Sequence, residues 1–161
     1  MKMKQIPAAV IEFLRTQGFV IASSIDKNGF PHSSCKDIVK IDPDGQIYLV
    51  DVYYGLTAEN IKRNPQVSIS AVDEHKFMGY CLKGKAKVIS DDEISQEFIK
   101  YWEDNITARL AKRLLHNLSQ DKSHPHHPEA SLPPPKHLIV IAVEEIVDLA
   151  PHYLRKEGYH G

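Results

Sequence analysis

Five short elements follow one another between Ile47 and Ile89 with almost no spare residues, and this economy restricts the fold more than any other feature of the chain. Ile47, Leu49 and the run Val50 to Tyr53 read as a strand. Gly55-Leu56-Thr57-Ala58-Glu59-Asn60 then reads as a turn into a helix, with Thr57 suited to the N-cap and Glu59 an early acid that complements the helix dipole. Asn64-Pro65 stops that helix, because the residue before a proline is pushed out of the helical region. Gln66 to Val72 alternates polar and apolar residues, and after a turn Gly79 to Ile89 alternates again, the period of half-buried strands.

Around this block the chain continues in the same vein. Pro7 opens a helix carrying Val10, Ile11, Phe13 and Leu14 on one side, with Gly18 as its C-terminal glycine. Phe19 to Ile25 and Phe30 to Ile41 read as strands joined by Asp26-Lys27-Asn28-Gly29, and Asp42-Pro43-Asp44-Gly45 makes the tight turn into Ile47, so three antiparallel strands form a meander. Asp91-Asp92-Glu93 opens a long helix in which Ile94, Phe98, Trp102, Ile106, Leu110, Leu114 and Leu118 recur every four residues. A strict four-residue stripe drifts around a straight helix, so the segment either breaks near Asp104-Asn105 or covers a broad surface. Residues 119–136 are rich in Ser, His, Pro and Gln and read as a mobile insertion; Leu138 to Val143 restores an apolar strand.

A chain of 161 residues, 42% hydrophobic, is sized for one domain with a real core, here 1–161. Its 20 basic and 21 acidic residues are interspersed and give a formal net charge of -1, which leaves no electrostatic footprint for nucleic acid. The first residues lack a long apolar run, and two strand cysteines, Cys35 and Cys81, make no disulfide framework; a soluble cytoplasmic protein without membrane contact is expected.

The order strand, T-x-x-N-[IL]-x-x-N-P-x-V, strand, G-Y-x-[LI]-K-G-x-A, preceded by the D-x-x-G-x-P hairpin at Asp26 to Pro31, resembles the pyridoxamine 5'-phosphate oxidase-like FMN-binding split barrels. The resemblance implies an α+β, mainly β, fold: a six-stranded antiparallel split barrel with flanking helices, forming a homodimer with two FMN at the interface. It also implies a flavin-dependent oxidoreductase of unknown substrate. By the same likeness, Leu56, Thr57 and Asn60 mark the phosphate turn, and the ring is held along Ser34, Cys35 and Lys36 of the second strand and Val50, Asp51, Val52 and Tyr53 of the third. The physics suits an anion, since a helix N-terminus presents unpaired N–H groups and a positive dipole end. Leu56 is a departure: the family pattern places a lysine there, so Lys36, Lys62, Arg63, Lys83 or Lys85 must supply the missing charge. The tail Leu154-Arg155-Lys156-Glu157-Gly158-Tyr159 carries no substrate-phosphate motif of a pyridoxamine phosphate oxidase proper.

Taken alone, several of these residues have plainer readings. Thr57 is also an ordinary helix cap, Asp51 a satisfied acid at a strand end, and Tyr53 a core or interface aromatic. The cluster His124, His126 and His127 has neither zincin spacing nor a C-x-x-C partner, and no metal is expected. Two alternatives keep the barrel and change its use: a haem-binding or haem-degrading protein, for which the histidines would matter more, and a ligandless dimeric regulatory or interaction module. Dimerisation is also expected from Phe19 to Ile25 and Leu138 to Val143, whose two faces both look apolar.

Overall fold

The computed structural model of the chain describes residues 3–51, 55–119 and 133–155. Its strands are β1 (Val20–Ile25), β2 (Pro31–Asp42), β3 (Gln46–Asp51), β4 (Gln66–Asp73), β5 (Met78–Ser90) and β6 (His137–Asp148), and its helices α1 (Ala8–Thr16), α2 (Leu56–Arg63) and α3 (Gln96–Ser119). The strands close into an antiparallel barrel in the order β1-β2-β3-β6-β5-β4. The expected fold, a mainly β, six-stranded antiparallel barrel with flanking helices, is the one observed.

The alternation read from the sequence sorts side chains across the wall. Val67, Ile69 and Ala71 of β4 and Leu82 and Ala86 of β5 point into the barrel, where they meet Val20, Ile47, Leu49, Ile139, Ile141 and Val143. Helix α1 adds Val10, Phe13 and Leu14 to this core, with Phe13 packed edge-on against Tyr80 at 5.3 Å. Helix α2 adds Ile61. A bulge in β2 between Ile38 and Lys40 inserts Val39, so that Ile38 and Ile41 both face the core while Val39 turns outward under α3.

Helix α3 runs unbroken through Asp104-Asn105. It lays Phe98, Trp102, Ile106 and Leu110 over Val39, Val50 and Leu138, so the start of β6 is covered at Leu138 by this chain's own helix. At Leu138, one end of the Leu138 to Val143 run, a cover is thus supplied within the chain. Arg109 of α3 grips Asp37 of β2 through two hydrogen bonds of 2.7 and 2.5 Å, pinning the helix to the wall. Gly18 does not take the positive-φ cap conformation expected of it; α1 ends at Gln17 in extended backbone. The turns at Gly29 (φ 85°) and Gly45 (φ 110°) do need glycine, and a Cβ on Gly45 would also lie 2.6 Å from the Lys4 carbonyl oxygen. Most of the 119–136 insertion, His124, His126 and His127 included, lies outside the described residues.

Candidate functional site

The two neighbours of β2 pair with different stretches of it. Strand β3 pairs with β2 from Asp37↔Val50 to Asp42↔Gln46, while β1 pairs with β2 over Pro31 to Lys36. Among the described residues, residues 31–36 of β2 therefore have a strand on one side only, and their main-chain groups on the other side form an open edge. Val52 and Tyr53, expected opposite this edge, lie outside the described residues.

Helix α2 starts beside that edge. Gly55, not Thr57, is its N-cap; Thr57 sits in the first turn with its hydroxyl 2.9 Å from that of Ser34 on β2. The N–H groups of Ala58 and Glu59 bond to the Gly55 carbonyl, leaving those of Leu56 and Thr57 without a backbone acceptor among the described residues. Leu56 itself is 61% exposed. Two residues along β2 from Ser34, on the same inward face, the Lys36 ammonium donates to Asp51 Oδ1 at 2.5 Å. Asp51 is 2% exposed, and its second oxygen, Oδ2, is buried with no hydrogen-bond partner.

Ser34, Lys36, Asp51, Leu56 and Thr57 are thus brought together; the other expected residues take different places. Asn60 is buried inside the fold: its amide donates to Ser24 Oγ at 3.0 Å and accepts from Arg63 at 2.7 Å, while Arg63 also donates to the Ile25 carbonyl at 3.1 Å. Its side chain latches α2 to β1 instead of reaching toward a ligand. Cys35 lies on the outward, exposed face of β2, and Val50 is buried under α3, so only their main chains bear on the open edge. Lys83 is half exposed on the outside of β5 and bonded to both carboxylate oxygens of Glu145 at 3.1 and 3.2 Å. It borders a separate cleft of about 410 Å3 with Ser23, Ser68 and Glu144. The expected compensation for Leu56 by Lys83 is therefore not seen. Sequence reasoning missed the latch, whose only local trace is the i, i+3 spacing of Asn60 and Arg63.

A closed antiparallel barrel with a short helix starting beside a strand edge that is unpaired among the described residues defines a split-barrel protein, with that edge as its candidate site. The family model described as pyridoxamine 5'-phosphate oxidase matches residues 6–150, and the chain belongs to that family. No curated protein matches the chain. Among solved structures it is similar to HupZ of Group A Streptococcus (19% identity, TM-score 0.61, covering 90% of this chain and 95% of that one). It is also similar to a putative pyridoxamine 5'-phosphate oxidase from Lactobacillus delbrueckii (20%, 0.57, 91% and 98%). A third similar structure is a pyridoxamine 5'-phosphate oxidase-related, FMN-binding protein from Nostoc punctiforme (15%, 0.55, 91% and 86%). At these identities the likeness bears on the fold. No helix among the described residues is long and apolar enough to cross a membrane.

Proposed function

We propose that the chain is a flavin-binding split-barrel protein, with FMN the form suggested by family likeness, acting as a flavin-dependent oxidoreductase on a substrate not yet known. The observation that carries this reading is the main-chain edge of β2 at 31–36 standing next to the N–H groups that begin α2, both without a main-chain partner among the described residues. A flavin ring carries alternating donors and acceptors along one edge, which a strand edge can satisfy, and its ribityl chain offers hydroxyls to Ser34 and Thr57. The cofactor would supply the electron chemistry, while the protein supplies position and shelter. These donors fit the ring and the polyol; at the phosphate end stands Leu56, and the nearby Lys36 ammonium is paired with Asp51.

A homodimer is part of the proposal. Phe19 (59% exposed), Ile21 and Val72 line an apolar groove of about 310 Å3 on the outer face of β1 and β4, a surface suited to a second copy. Cys35 and Cys81 are free thiols, in keeping with a reducing cytoplasm. Purified protein titrated with flavin should quench flavin fluorescence with one site per chain and sediment as a dimer at micromolar concentration. A Soret band on haem addition, with no flavin binding, would replace this reading by the haem alternative; binding of neither would leave an interaction module.

A further inference from the structure

We infer that Asp51 sets the selectivity of this site, favouring a ligand that ends in hydroxyl groups, as riboflavin does, over one that ends in a phosphate. The inference rests on the flavin reading above. Lys36 faces the Ser34–Thr57 pair from the same side of β2, about 7 Å along the strand. Its charge is committed to Asp51, and with side chains 13% and 2% exposed the two form a largely buried pair of zero net charge. What remains at the start of α2 is two hydroxyls bonded to each other, two backbone N–H groups, the apolar Leu56 and, in the same first turn, the exposed acid Glu59. Arg63 is at the far end of the helix, about 10 Å away, and is held by Asn60 and Ile25.

Asp51 Oδ2 adds a direct preference. It is a buried acceptor with no donor among the described residues; a ligand hydroxyl that reaches it would satisfy it, whereas a phosphate dianion would bring only acceptors and like charge. The α2 N–H groups and the dipole behind them favour a phosphate oxygen over a hydroxyl, but they act alone, because the Lys36 charge that would reinforce them is committed to Asp51. The test is titration of the whole chain with riboflavin and with FMN, for the parent and for Asp51→Asn. The parent should bind riboflavin at least as tightly as FMN. Asp51→Asn, which frees Lys36 and removes the opposing charge, should shift the affinity ratio at least about tenfold toward FMN. A parent that prefers FMN by more than about tenfold overturns the inference while leaving the flavin reading intact, and this holds even where the variant does not fold. A ratio unmoved by Asp51→Asn overturns it too. Binding of neither flavin removes the flavin reading and the inference together.

Discussion

Replacing Asn60 separates the two roles open to it. As a latch, its amide gives one neutral hydrogen bond to Ser24 and takes one from the Arg63 guanidinium, at 3.0 and 2.7 Å, in a spot where Asn60 and Ser24 are both buried. Asn60→Ala loses about 1 kcal/mol for the neutral bond, about as much for the charged one after allowing for the exposure of Arg63, and up to about 2 for the cavity and the stranded Ser24 hydroxyl. The expected loss is therefore about 2–4 kcal/mol, or roughly 4–16 °C in melting temperature for a chain of this size. Urea unfolding should show a lower midpoint with an unchanged slope, since the surface exposed on unfolding is nearly the same. Asn60→Asp should recover most of the loss at neutral pH, because the carboxylate still accepts from Arg63 and the Ser24 hydroxyl can turn to donate. If Asn60→Ala stays within about 0.5 kcal/mol of the parent while flavin affinity collapses, Asn60 is a ligand residue and the latch argument is wrong.

Gly84→Ala should be among the most damaging small changes, since its Cβ would lie 2.0 Å from the Ala142 carbonyl oxygen across the β5–β6 seam; an unchanged urea midpoint would show that the seam yields. The Asp26 carboxyl is held below its ordinary value of 3.8, first by the Phe30 N–H. A depressed folded value means that its contribution is complete above 3.8 and fades as the pH falls below it, so Asp26→Ala should melt earlier than the parent at pH 7 and converge with it in acid; a gap independent of pH would refute this. Leu56→Lys should tighten FMN by roughly ten- to a hundredfold and leave riboflavin unchanged, by adding a charge-assisted contact at the exposed first residue of α2. Equal effects on both flavins would mean that the start of α2 does not meet the phosphate.

Where the sequence was readable, period and punctuation agreed. Strands β4 and β5 alternate so cleanly that their buried faces follow from residue parity, and the turns at Asp26 to Gly29 and Asp42 to Gly45 take the glycine conformations their sequences require. What failed was anything set by contacts between distant residues. The four-residue stripe of α3 cannot say whether the helix breaks or drifts; in the fold it drifts, so that Trp102 and Ile106 are buried while Leu114 has rotated out to 61% exposure. Leu138, apolar on the outer face of β6, calls for a cover without naming one, and the cover is a helix anchored by Arg109 to Asp37, 72 residues apart. Likewise, the family motif names Asn60 only for its turn, and its bond to Ser24, 36 residues earlier, could not be read from the sequence.

Helix α2 is at once a plug and a rim, and this couples ligand binding to stability. Ile61 and Asn60 fasten it into the barrel, while Leu56 and Thr57 present N–H groups without a backbone acceptor among the described residues where the candidate site begins. A ligand that satisfies those groups and Asp51 Oδ2 binds only the folded chain, so it must raise the folding free energy, by about 2.7 kcal/mol at a hundred times its dissociation constant. Melting curves therefore report on the site without any assumption about the reaction. With both flavins at the same concentration, riboflavin should raise the melting temperature at least as much as FMN in the parent, and FMN should overtake it in Asp51→Asn. In Asn60→Ala both shifts should shrink together, because loosening the plug moves the rim for either ligand. A shift that survives Asn60→Ala at full size would mean that the ligand sits away from α2, and the site would have to be sought elsewhere on the barrel.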